Sequence, residues 1–146
     1  MKGRLRGHAD ARIDEKGRLK MPSVFKKTLA GDYGPELFIT ALTDDHLQIY
    51  PISVWEDIEA RVNALGKMHP LKQKFLTRAN RYGIEVEMDV QGRIPIKSNQ
   101  RRLIGIESEV SLIGCTDYLE VRAASALEAL DGRDALSLED FQALEI

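Results

Sequence analysis

The stretch Ile13-Asp14-Glu15-Lys16-Gly17-Arg18-Leu19 decides the fold, because it returns 75 positions later as Met88-Asp89-Val90-Gln91-Gly92-Arg93-Ile94. Both copies read apolar-Asp-x-x-Gly-Arg-apolar, which is the chemistry of a tight turn between two strands. An Asp at the end of the first strand can accept backbone N–H bonds inside the turn. Gly17 and Gly92 supply a positive φ at no steric cost. Arg18 and Arg93 open the returning strand. Each either reaches back to its Asp as a charge-assisted pair or points away from the turn. Ahead of the second copy, Ile84, Val86 and Met88 alternate with Glu85 and Glu87, the pattern of a half-buried strand.

Further out, each copy runs into a Pro (Pro22, Pro95) and then a short helical segment, 23–30 in the first and 98–104 in the second. Each of these helices is expected to cover the open end of a small barrel. Two strand-like runs follow, 37–40 and 47–50 in copy one, 110–113 and 118–121 in copy two, with a turn-like segment between them. The unit strand–turn–strand–helix–strand–turn–strand thus occurs twice. Roughly 50 residues of short hairpins bury too little to stand alone, so the copies should pack on each other or interleave. Pro95 removes a ladder donor from the second returning strand and predicts a bend or an edge there.

Between the copies lies a helical insert. Ser53 and Glu56 have the spacing of a capping box, Val54, Ile58, Val62 and Leu65 follow at helical spacing, and Gly66 ends the run. A second helix is predicted from Pro70. Leu71, Phe75, Ala79 and Tyr82 would share its apolar face; Lys72, Lys74, Arg78 and Arg81 would form a basic one that could touch phosphate but reads first as solvated or in contact with another subunit. The stretch 123–146 has helical composition, a capping signal at Ser137 with Asp140, and a weak stripe of Leu138, Phe141 and Leu144. It reads as a peripheral tail. The expected division is 4–52, first repeat; 53–82, helical insert; 83–122, second repeat; 123–146, acidic tail.

The 146 residues carry a net charge of −2, but unevenly. Residues 1–27 hold nine basic side chains against three acids, a local charge of +6, whereas 123–146 hold six acids and one Arg, a local charge of −5. Phosphate attraction acts within about 8–10 Å, so a polarised chain can bind DNA through one face; the basic end can equally be a solvated surface. The single cysteine, Cys115, excludes an internal disulfide framework and a Cys-based zinc site. No apolar run could span a bilayer, and the basic N-terminus lacks the apolar stretch of a secretory signal. The expected compartment is the cytoplasm.

The segment 13–22 resembles the DNA-binding hairpin of AbrB-type regulators. The doubled Asp-x-x-x-Arg with two helices between its copies is similar to the MraZ family, as are Leu47-Gln48-Ile49-Tyr50-Pro51 followed by Trp55-Glu56, and Val110-Ser111-Leu112-Ile113-Gly114. The resemblance covers about residues 4–122. It implies an α+β fold of tandem AbrB-like swapped-hairpin β-barrel repeats, with a two-helix insert and a helical C-terminal tail. It also implies a nucleoid-associated transcriptional regulator that binds short direct repeats of double-stranded DNA in the promoter of its own division and cell-wall gene cluster. The resemblance further implies a ring-shaped homo-oligomer, expected at eight or more subunits. In the second copy Pro95 comes earlier than the family pattern has it; Arg101-Arg102 followed by Gly105 recovers the pattern downstream.

Arg18 is the leading candidate for DNA contact: the resemblance places a binding arginine there, and an Arg at a hairpin end can fork onto phosphate or guanine. Arg12 and Lys16 are candidate phosphate contacts, with Lys20, Arg6 and Arg4 behind them. Asp14, Gly17, Asp89, Gly92 and Arg93 are assigned to the turns themselves. Arg93 is assigned a structural role because Glu85, Glu87 and Asp89 precede it. A carboxylate dyad of Asp14 and Asp89 would need both to converge on one site, and the turns already account for each. His8, His46 and His69 are scattered beside turns. No enzyme, cofactor, metal or small-molecule substrate is expected. The alternative to a DNA regulator is an antitoxin-like protein-interaction module, with the acidic tail as its contact.

Overall fold

The strands of the two repeats are interleaved. The computed structural model describes residues 3–146. The first repeat gives β1 (His8–Arg12), β2 (Arg18–Lys20), α1 (Ser23–Thr28), β3 (Glu36–Thr40) and β4 (Leu47–Pro51). The insert gives α2 (Ile52–Asn63) and α3 (Pro70–Arg81). The second repeat gives β5 (Ile84–Glu87), β6 (Arg93–Pro95), α4 (Ser98–Ile104), β7 (Glu109–Gly114) and β8 (Leu119–Ala123). The tail carries α5 (Ala124–Glu128) and α6 (Leu138–Leu144).

This is a mixed α/β architecture on an antiparallel sheet. Six strands run in the order β1-β7-β8-β4-β3-β5, and β2 pairs with β6 in a separate two-stranded ribbon. The first strand of each repeat pairs with the third strand of the other: His8 stands opposite Ile113, and Glu36 opposite Glu87. The second strands pair together through Leu19 and Ile94, the fourth through Ile49 and Leu119. Exchanging the repeats leaves this pairing unchanged, so the halves are related by an approximate two-fold. Leu19 and Ile94 from the ribbon and Leu37, Ile39, Leu47, Ile49, Val110, Leu112, Leu119 and Val121 from the sheet share one buried core. Full burial of each such side chain stabilises by about 1.5–3 kcal/mol.

The short helices close over this core. Phe25 of α1 is buried in it, and α1 runs on into one wider π-helical turn, Leu29–Tyr33, beyond the expected end at residue 30. At the equivalent place in α4 stands Gln100, buried but satisfied: its amide donates to the carbonyls of Ile39 (3.1 Å) and Tyr82 (2.6 Å) and accepts from Lys97 N–H (3.0 Å).

A second cluster docks the insert. Trp55 of α2 is 2% exposed. It stacks on Phe38 at 4.6 Å, lies 5.1 Å from Tyr50, and stacks on Phe75 of α3 at 5.8 Å. Three expectations for the insert need correction. Helix α2 starts at Ile52 on Pro51, which closes β4 at φ −54, so Ser53 lies inside the first turn and cannot be the cap of a Ser53–Glu56 box. Leu65 and Gly66 lie past the end of α2, in the bend to α3. Leu71 is exposed, whereas Phe75, Ala79 and Tyr82 from that face pack against the two apolar clusters. Half of the basic face is structural: Arg78 donates to the carbonyls of Ala41 (2.7 Å) and Thr43 (2.8 Å), and Lys72 donates to those of Asn63 and Leu65 at the end of α2.

Candidate nucleic-acid interface

Two turns of matching geometry hold the ribbon of β2 and β6. In the first, Asp14 Oδ1 accepts from the N–H groups of Lys16 and Arg18, both at 2.9 Å. Asp14 N–H donates to the Arg18 carbonyl, and Gly17 N–H donates back to the Asp14 carbonyl. In the second, Asp89 Oδ1 accepts from Gln91 (2.9 Å) and Arg93 (2.8 Å), with the same backbone pair. Gly17 (φ +78) and Gly92 (φ +81) take the left-handed conformation. The backbone N–H of Arg18, followed by its side chain and Lys16 N–H, holds the Asp14 carboxyl below the ordinary carboxylate range. The N–H of Arg93, then that of Gln91, does the same for Asp89. Each carboxylate is engaged by its own turn.

The ribbon's ladder sets which side chains face outward. Met21 N–H donates to Gly92 O at 2.7 Å, and Ile96 N–H donates to Gly17 O at 2.8 Å. Antiparallel bonding alternates, so the pairs Arg18–Pro95 and Lys20–Arg93 are the non-bonded ones. Pro95 therefore costs no ladder bond, which explains its place in a regular strand. Leu19 and Ile94 point into the core at 0% exposure. By the pleat, Arg18, Lys20 and Arg93 point to the opposite face. The two repeats thus contribute to one cationic surface, which continues along Arg12 at the end of β1.

On this surface Arg18 donates Nε to Asp14 Oδ2 at 3.1 Å. The side chain thus reaches back to the turn, and no contact of its Nη groups is found among the described residues. Arg93 makes no ion pair among the described residues. Arg12 pairs with Glu109 at 3.1 Å, with both side chains largely exposed, a contact worth at most about 1 kcal/mol. Lys16 and Lys20 are exposed. Arg4 and Arg6 are not brought together with the others. They flank Leu5, which bridges to Thr116 at the opposite end of β1, roughly 20 Å along the strand from Arg12.

Sequence reading missed two features. Arg93 was judged by Glu85 and Glu87, which sit on β5 and pair across to β3 in the larger sheet, whereas Arg93 lies opposite Lys20. Arg101 of α4 lies over the first turn, where a Cβ on Gly17 would meet its guanidinium at 3.4 Å. Its counterpart Lys26 of α1 lies over Gly92 and donates Nζ to the Val90 carbonyl at 3.2 Å. Each turn is thus backed by a cation from the other repeat. The 75-residue offset relates Lys26 to Arg101 and held that signal. The histidines are local: His8 lies 3.3 Å from Asp10, His46 lies between Asp45 and Glu120, and His69 Nδ1 accepts from Leu71 N–H at the start of α3. The described residues contain no cluster suited to a metal ion, and no helix among them is long and apolar enough to cross a membrane.

The family described as "MraZ protein, putative antitoxin-like" matches residues 5–78. Among curated proteins, the chain is 39% identical over 140 residues to the transcriptional regulator MraZ of Acidobacterium capsulatum, covering 96% of both chains. It is 40% identical over 125 residues to the protein of that name in Koribacter versatilis, covering 85% of each. Against that of Chromobacterium violaceum it is 30% identical over 127 residues, covering 87% of this chain and 85% of the relative.

Proposed function

Since this chain belongs to the MraZ family, we propose that it is a transcriptional regulator that binds double-stranded DNA through the outer face of the β2–β6 ribbon. The observation that carries this reading is the convergence of Arg18, Lys20 and Arg93, from both repeats, on one rigid surface. The fixed turns present these cations without a large ordering cost. Arg12 and Lys16 extend the surface as phosphate contacts, and Arg101 adds charge behind the first turn. Arg4 and Arg6 would meet phosphates only farther along the duplex. Asp14, Gly17, Asp89 and Gly92 are the scaffold of the two turns.

The crossed strand pairing supports reading the fold as tandem swapped-hairpin repeats, divided at 4–52, 53–82, 83–122 and 123–146. One subunit offers few phosphate contacts, so single-site affinity at physiological salt is weak. A ring of eight or more subunits on short direct repeats in the promoter of its own gene cluster makes later contacts intramolecular. The protein then acts in the cytoplasm on the nucleoid, with no enzymatic role. One observation favours an additional protein-interaction role for the tail: Leu138, Phe141 and Leu144 are exposed on a helix whose charges are all acidic.

The test is a titration of labelled promoter duplex with wild type and Arg18→Ala, at two salt concentrations, by fluorescence anisotropy. Wild type binds with strong salt dependence. Arg18→Ala loses at least tenfold in affinity while eluting at the same size in gel filtration. Equal binding by both proteins would move the site off the first turn.

A further inference from the structure

We propose that the tip of the second turn, Val90–Gln91, reads an A·T base pair in the major groove, while the first turn holds phosphate. This rests on the DNA-binding reading above and assigns the two turns different work. The turns match in backbone hydrogen bonding and differ at their tips. The first carries Glu15 and Lys16; the second carries Val90 and Gln91. At the place where the first repeat has Arg12, the second has Glu87. The tip of the second turn therefore carries no charge of its own with which to hold a phosphate, and leaves that work to Arg93 behind it.

Its side chains suit base edges instead. Val90 is 94% exposed, an aliphatic group at the tip of a turn where polar residues are usual. Gln91 is exposed beside it, and its amide makes no hydrogen bond among the described residues. The backbone beneath them is fixed from three sides. Asp89 accepts from Gln91 N–H, Gly92 donates to the Asp89 carbonyl, and Lys26 reaches across from the first repeat to the Val90 carbonyl. Two side chains are thus presented on a rigid support beside Arg93 and Lys20, the cations that draw in the duplex. A two-stranded ribbon fits a major groove about 12 Å wide. There a glutamine amide matches adenine N6 and N7, and an aliphatic side chain matches the thymine methyl group. Phosphate contacts position a protein on DNA and base contacts specify sequence. The first tip, with Lys16 beside Glu15, and the uncharged second tip, with Val90 and Gln91, divide along that line.

The experiment is selection from a duplex pool with a randomised core, using wild type, Val90→Ala and Gln91→Ala, with circular dichroism and gel filtration to check that each variant is folded and assembled. Wild type enriches a motif. Gln91→Ala enriches the same motif with one A·T column flattened. Replacing that adenine with 7-deazaadenine weakens wild type about tenfold and leaves Gln91→Ala unchanged. Replacing the thymine with uracil weakens wild type about fourfold, the worth of one buried methyl, and leaves Val90→Ala unchanged. Identical motifs from all three proteins would overturn the proposal, as would a uniform loss across selected and unselected DNA. Wild type that retains duplex but enriches no motif would overturn the base reading alone. Failure to retain any duplex would remove the DNA reading beneath it.

Discussion

Arg18 is tied by its side chain to the turn that precedes it. Its Nε is held by Asp14; on the DNA-binding reading proposed above, this bond aims the guanidinium at an anion. An exposed pair of this kind adds little stability, about 0–1 kcal/mol; its use is in aim. The glycine behind each arginine matters more to folding. Gly92 sits at φ +81, and a Cβ there would come within 2.9 Å of the Lys26 stem. Gly92→Ala should cost about 1–2 kcal/mol from the left-handed backbone, with Lys26 swinging aside. Gly17→Ala, at φ +78 and 3.4 Å from Arg101, should cost a similar amount. Urea unfolding of the two variants measures both costs, and a loss under 0.5 kcal/mol in either would mean that the turn relaxes.

At the scale of elements, the insert is joined to the sheet by aromatic contacts. Trp55→Ala removes the ring that touches Phe38, Tyr50 and Phe75 together, and should cost about 3–5 kcal/mol. Thermal unfolding gives the magnitude; increased protease cleavage within 52–81 would show that the insert has come loose. A loss below 1 kcal/mol would mean that the insert is held elsewhere. These same elements divide what could be read in the sequence from what could not. The turns were legible because Asp, Gly and Arg act on neighbours within four residues. The starts of α3 at Pro70 and of α4 at Ser98 were legible for the same local reason. Pairing between repeats was not, because hydrophobic alternation is satisfied by several partners; packing or interleaving remained equal options. The surroundings of Arg93 were hidden for that reason, its chain neighbours standing in for its spatial ones. Ser53 and Leu71 failed differently. Pro51 starts α2 before the capping residues arrive, and Leu71, at the first turn of α3, lies clear of the apolar clusters that Phe75, Ala79 and Tyr82 reach.

For the whole molecule, the tail is the part with least attachment: every residue from Asp131 onward is exposed. Removing 131–146 should shift the melting temperature by no more than about 2 °C, since substitutions at exposed sites stay within about 0.5 kcal/mol. A larger drop, measured by calorimetry at fixed concentration, would show that the tail is packed against another subunit. The crossed pairing has a consequence of another kind, for the order in which a growing chain can fold. β1 is synthesised first, yet its neighbour β7 follows roughly a hundred residues later, with His8 waiting for Ile113. β3 and β4 can meet early, and β5 joins them soon after. The sheet then grows from its β5 edge across to β1, and the first strand to leave the ribosome is among the last to be clasped. Until then it carries an open edge through most of translation.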